Sequence, residues 1–132
     1  MTLGFHPLIK RAVDYIEENY QSEISLEVLA AESSLSKYYL IRSFKEVMDC
    51  TPAKYVTDTR LKRAVELLLA TSLDITTIGF EVGFGSLHTF ERIFKKKYGV
   101  TISDFRKKNK NLNGNHCKIR NGFFMFKSCW KE

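Results

Sequence analysis

SLHTFERIFKKKYG, residues 86–99, carries two faces at helical spacing. Phe90, Phe94 and Tyr98 recur every fourth residue and form an apolar stripe. His88, Arg92 and Lys95 fall on a different face. Fifty residues earlier a weaker version appears, SKYYLIRSFKEVMD, residues 36–49. Ser36, Leu40, Arg42, Phe44 and Lys45 align with Ser86, Phe90, Arg92, Phe94 and Lys95 at a constant offset of 50. There Leu40, Phe44 and Val47 form the expected buried stripe, and Tyr38, Ile41, Arg42 and Lys45 the opposite face.

The repetition extends upstream of both stretches. Leu26, Leu29 and Ala31 match Ile75, Ile78 and Phe80 at an offset of 49, and each set belongs to a short helix. Ser25 and Asp74 are the expected caps of those helices. ESSLS and GFGS supply the turns, the second one residue longer. A short helix, a tight turn and a second helix with an exposed mixed face form a helix-turn-helix unit. The repeat makes two of them, too few for a solenoid.

Between the units lies TPAKYVTDTRLKRAVELLLAT, residues 51–71. Thr51 can cap this segment, and Pro52 suits the first helical position because its missing N–H costs nothing there. No Gly or Pro interrupts it afterwards. A helix of this length is a rod of roughly 28 Å. Thr51 and Tyr55 are echoed by Thr101 and Phe105, so a last short helix over SDFRKK is expected. A first helix over Pro7 to Tyr20 follows from the stripe Ile9, Val13, Ile16 and Tyr20. The expectation is an all-α chain of about seven helices: a helix-turn-helix subdomain over 5–50, a connecting helix over 51–72, a second subdomain over 73–108, and a tail over 109–132.

Composition narrows the function. The 132 residues are 44% hydrophobic, with two prolines and seven glycines, enough for a real core. No run approaches the ~18 apolar residues of a membrane span, and the N-terminus lacks a signal-peptide pattern. Three irregularly spaced cysteines, Cys50, Cys117 and Cys129, suit a reducing compartment. The net charge of +6 is unevenly placed. Residues 1–105 hold 13 Lys and Arg against 14 Asp and Glu. Residues 36–63 carry a net +4 and residues 92–110 a net +7, whereas 5–35 and 64–91 each carry −4. Two basic blocks on an acidic body, each beginning at or within one of the echoing stretches, indicate nucleic acid better than a high pI does.

The second repeat, DITTIGFEVGFGSLHTFERIFKKKYGVTISDFRK, resembles the DNA-binding domain of the AraC/XylS family of bacterial transcription regulators. The resemblance rests on G-F-x-V-G-F followed by F-x-R-x-F-K-K-x-Y-G, and on Arg60, Leu61, Ala64 and the leucine pair of the spacer. It covers about Phe5 to Lys108, and the short stand-alone members are of similar length. Asp49 stands where the family often has Gly, and Ile102 where it usually has Pro. The resemblance implies two helix-turn-helix subdomains whose recognition helices enter adjacent major-groove segments. It places the base-reading positions on Tyr38, Ile41 and Arg42 in the first recognition helix, and on Leu87, His88, Thr89 and Arg92 in the second.

The chemistry of these residues fits that assignment. Arg42 and Arg92 can each donate two hydrogen bonds to guanine O6 and N7; the other reading is contact with phosphate or with the neighbouring Glu46 and Glu91. Ile41 suits a thymine methyl or contributes shape. His88 can meet a base edge, a phosphate or solvent. Tyr38 can pack on sugars and methyl groups or cover the core edge. Lys37, Lys45, Arg60, Lys62, Lys95 and Lys96 suit phosphates, which set affinity and register. Ser36, Ser86 and Thr101 head helices whose free N–H groups can bind phosphate.

A rod near 28 Å approximates the ~34–36 Å between successive major-groove segments on one face of a duplex, so one monomer is expected to read an asymmetric site in double-stranded DNA. RNA's major groove is too deep and narrow for such helices. No phosphate-binding Gly loop, nucleophile motif or paired-carboxylate site stands out, and His116, Cys117 and Cys129 lack a zinc pattern. No enzyme activity, cofactor or metal is expected. The family implies a cytoplasmic, nucleoid-bound regulator, an activator that contacts RNA polymerase. A second class of function stays open: a protein-interaction module using the apolar tail GFFMFKSCWKE, or a fragment of a longer effector-responsive regulator.

Overall fold

The computed structural model describes residues 6–111, and among these it contains seven α-helices and no strand. They are α1 (Pro7–Asn19), α2 (Leu26–Ser33), α3 (Lys37–Met48), α4 (Pro52–Ala70), α5 (Ile75–Glu81), α6 (Leu87–Tyr98) and α7 (Ile102–Asn111). The expected zinc-poor tail residues His116, Cys117 and Cys129, and the segment GFFMFKSCWKE, lie outside the described residues. No described helix is long and apolar enough to cross a membrane. The chain divides into two compact units, one up to Thr59 and one from Arg60, and α4 runs unbroken through the division.

Local chemistry sets the helix ends. The Ser25 and Ser36 hydroxyls accept from the N–H groups of Val28 (3.1 Å) and Tyr39 (3.2 Å). Ser86 does the same for Thr89 at 3.2 Å. Each satisfies one of the donors left without a partner in a first helical turn. Thr51 and Thr101 serve α4 and α7 in this way, accepting from Lys54 and Asp104 at 3.1 Å. Ile102 opens α7 without the proline: its side chain is only 2% exposed, so burial fixes the turn that proline would have preset. Asp74 departs from expectation. It has the extended backbone of a cap residue, but its side chain makes no capping bond. His6 caps α1 instead of a Ser or Asp, its Nδ1 accepting from the Ile9 N–H at 3.3 Å.

Left-handed residues end the helices. Gly99 closes α6 at φ 79° and Asp49 closes α3 at φ 66°, each N–H donating to the carbonyl four residues back, Lys95 and Lys45. Asp is among the few non-glycine residues that tolerate this region. Ser34, at φ 62°, makes the first inter-helix turn, and Gly83, at φ 105°, the second.

The first unit packs Ile9, Ala12, Val13 and Ile16 of α1 with Leu29 and Ala30, Leu40 and Phe44, and Tyr55 and Val56. Phe44 and Tyr55 meet edge to face at 5.8 Å. The Tyr55 hydroxyl donates to the Glu17 carboxylate across the unit. Burial, and then that carboxylate, push the Tyr55 hydroxyl well above the ordinary phenol range. Three details differ from the sequence expectation. Tyr20, at the end of the α1 stripe, is half-buried because α1 has ended. Val47 is also half-buried, and Ser43 takes the buried position beside Phe44. Ala31 and Phe80, aligned as apolar repeat partners, are both exposed.

The second unit is built on Leu61, Ala64, Val65 and Leu68 of α4, with Ile78, Val82, Phe84, Phe90, Phe94 and Ile102. Its aromatics form a chain: Phe84 stacks on Phe90 at 5.1 Å, Phe90 meets Phe94 edge-on at 6.2 Å, and Phe94 meets Phe105 at 5.4 Å. Arg106 reaches from α7 to the end of α4, donating to the carbonyls of Leu68 (3.2 Å) and Thr71 (2.7 Å) and to that of Leu73 just beyond. A guanidinium at the last carbonyls of a helix satisfies acceptors that have no partner within it and opposes the negative end of its dipole.

Candidate nucleic-acid interface

In the second unit α6 buries Phe90 and Phe94 completely. That sets the register of the helix and turns His88, Arg92, Lys95 and Lys96 to solvent. These four line a groove of about 670 Å³ together with Glu91 of α6 and Thr101, Ile102 and Ser103 at the start of α7. Two of the expected base-reading residues and three of the expected phosphate contacts therefore share one concavity. Helix α7 points its N-terminus into the same place, adding partial positive charge. Among the described residues, Arg92, Lys95 and Lys96 have no carboxylate within ion-pair distance. Leu87 and Thr89 are half-buried, and Thr89 Oγ1 also accepts from the Ser86 hydroxyl at 3.0 Å. Ser86 itself is exposed.

In the first unit α3 buries Leu40, Ser43 and Phe44 and presents Tyr38, Ile41, Arg42 and Lys45. Tyr38 is 71% exposed, which favours a contact role over covering the core edge. Ile41 is 39% exposed, an apolar group held at the surface. Arg42 lies 4.0 Å from Glu46 one turn on, and both side chains are exposed. Lys37 pairs with Glu27 of α2 at 3.1 Å, and this hydrogen bond holds the Glu27 carboxyl below the ordinary carboxylate range. Ser36 is exposed at the head of α3. The exposed pairs are weak enough to give way to a polyanion.

The remaining expected phosphate contacts sit on α4. The Arg60 guanidinium lies over the Phe84 ring at 6.0 Å, and Lys62 is half-buried. Besides Glu91, the groove contains two residues to which the sequence reading gave no DNA role, Ser103 and Ile102. Their signal was available in Thr101, since a capping residue fixes the positions that follow it. Tyr39 and Val28 are further exposed apolar groups of the first unit without an assigned role. Among the described residues no group of His, Cys, Asp and Glu is placed to hold a metal ion.

The helix-turn-helix domain family matches residues 29–108. The lactose operon transcription activator of Staphylococcus xylosus is 34% identical over 98 residues, 74% of this chain but 35% of that protein, so the chain spans about a third of that relative. The regulatory protein SoxS of Salmonella typhimurium is 32% identical over 104 residues, 79% of this chain and 97% of that protein. A transcriptional regulator from Chromobacterium violaceum, described as an AraC-type DNA-binding domain-containing protein, superposes with a TM-score of 0.74 at 31% identity, covering 80% of this chain and 95% of the other.

Proposed function

From the premise that the chain belongs to the AraC-type helix-turn-helix family, whose members are DNA-binding transcription regulators and not enzymes, we propose that it reads a two-part site in double-stranded DNA as a monomer. Helices α3 and α6 each enter one of two adjacent major-groove segments. Arg42 and Arg92 donate to guanine, Ile41 and Tyr38 meet thymine methyls and sugars, and His88, Leu87 and Thr89 complete the second reading face. Lys37, Lys45, Arg60, Lys62, Lys95 and Lys96, with the helix heads at Ser36, Ser86 and Thr101, hold phosphates.

The observation that carries this reading is the α6–α7 groove, where Arg92 and His88 stand beside Lys95 and Lys96 at the start of a helix. A base-reading cation flanked by phosphate-holding cations is the arrangement that groove readout requires. The same register recurs on α3 at an offset of 50 residues. The activating direction is that named for the lactose operon transcription activator it resembles, and contact with RNA polymerase is what the family resemblance implies. The site of action is the bacterial cytoplasm, on the nucleoid.

Selection of bound sequences from random duplex DNA tests the proposal. It should return an asymmetric site with two conserved blocks about one helical turn apart. A single block, or a palindrome, would overturn the monomeric two-part reading.

A further inference from the structure

Phe80 is the one exposed phenylalanine among the described residues, at 59%, while Phe44, Phe84, Phe90 and Phe94 are all buried. An isolated exposed apolar side chain is ordinary. This one is accompanied. Leu73, 41% exposed, immediately precedes the cap residue of the same helix, α5. Asp74 and Glu81 are exposed at the two ends of α5, and residues 64–91 contain four acids and no lysine or arginine. The exposed side of α5 thus carries Phe80 and Thr76 between acidic ends, with Leu73 just before the helix, and it carries none of the residues assigned to DNA.

The chain contains a segment of the opposite character. Residues 117–132, CKIRNGFFMFKSCWKE, combine Ile119, Phe123, Phe124, Met125, Phe126 and Trp130 with Lys118, Arg120, Lys127 and Lys131 against one acid. Helix α7, from which this segment follows, is already fastened beside Leu73, because Arg106 donates to the Leu73 carbonyl. The eleven residues 112–122 span at most ~36 Å, and a unit of about fifty residues is on the order of 25 Å across. The segment can therefore reach any face of the second unit, at the high effective concentration of a tethered ligand. Of the other exposed large apolar residues, Tyr38, Tyr39 and Ile41 on α3 are flanked by Lys37, Arg42 and Lys45, which repel a basic segment, and Val28 has no other exposed large apolar residue beside it on α2.

We propose that residues 122–131, GFFMFKSCWK, dock within the same chain on the exposed side of α5, against Phe80 and Leu73, with Lys127 and Lys131 facing its acidic ends. The interaction is independent of the DNA reading.

Trp130 is the chain's only tryptophan and reports directly. Acrylamide quenching of its emission in the full chain should be several-fold weaker than in a synthetic peptide of residues 112–132. Phe80→Lys, and separately Leu73→Lys, should raise quenching to the peptide's level while helical circular dichroism is unchanged. Val28→Lys, on the first unit, should leave it as in the wild type. Quenching equal to the peptide's in the wild type would overturn the proposal. So would protection that survives both α5 variants, that Val28→Lys abolishes, or that disappears on dilution and so belongs to contact between copies.

Discussion

Arg42 and Arg92 occupy equivalent positions of the repeat in different electrostatic company. Arg42 has Glu46 at 4.0 Å, whereas the counterpart of Glu46 in the second unit is Lys96. An exposed pair of this kind is worth little, so Arg42 can exchange Glu46 for a guanine edge. Arg42→Ala and Arg92→Ala should each cost about 1–3 kcal/mol on the preferred site, with no loss of helicity. Lys95→Ala should weaken binding to all sequences alike and lower the salt slope by about 1. Filter or anisotropy titrations at several salt concentrations separate the two classes. Glu46→Lys, which places the lysine of the second unit at the aligned position of the first, should raise the slope by about 1 and strengthen binding to unrelated duplexes.

Tyr55 is the residue whose titration matters for stability. Its pKa in the folded chain is raised above the unfolded value by burial and by Glu17. The stabilisation is therefore fully present below about pH 10, the ordinary tyrosine value, and is lost as pH rises beyond it, where the unfolded chain releases the proton first. Tyr55→Phe should lower stability by about 1 kcal/mol at neutral pH. The gap between the two proteins should narrow progressively above pH 10 in denaturant melts.

At the scale of elements, the two repeats solve one packing problem with different volumes. A Cβ on Gly79 would stand 2.9 Å from Phe90 Cδ2. The first unit has Ala30 and Leu40 at these positions, both buried. Gly79→Ala gains helix propensity of about 1 kcal/mol but overpacks by about 1–3 kcal/mol, so a net loss near 1 kcal/mol is expected. Adding Phe90→Leu, which reproduces the first unit's pair, should recover part of it in a double-mutant cycle. Asp49→Gly should stabilise by about 0.5–1 kcal/mol, since glycine relieves the left-handed strain.

Most helix registers were legible because Phe90, Phe94, Leu40 and Phe44 recur at helical spacing. The rest depended on contacts remote in sequence. Ser33 is buried because its hydroxyl donates back to the Leu29 carbonyl at 2.8 Å, an arrangement that hydropathy cannot show. Arg106 belongs to a basic run, yet it serves the carbonyls of α4, thirty-odd residues earlier. Phe80 aligned with an apolar repeat position but faces out, because Ile78, Gly79 and Val82 already fill the buried side of α5. For the candidate site, spacing put Arg92, His88 and Lys95 away from the core. The groove they form with Thr101 and Ser103 needed the turn at Gly99, which brings the head of α7 beside them.

At the scale of the molecule, function rests on the duplication and on where its charge lies. On the proposed reading each unit supplies one reading helix, and α4 runs unbroken through the division between the units. On that reading one chain engages two adjacent major-groove segments at once. The direct measurement is the affinity of the wild-type chain for its selected duplex and for the same duplex with five base pairs inserted between the two blocks. Half a helical turn moves the second block to the opposite side of the DNA. A loss of roughly a hundredfold or more is expected, toward the level of non-specific binding. Unchanged affinity for the lengthened site would contradict the proposed reading.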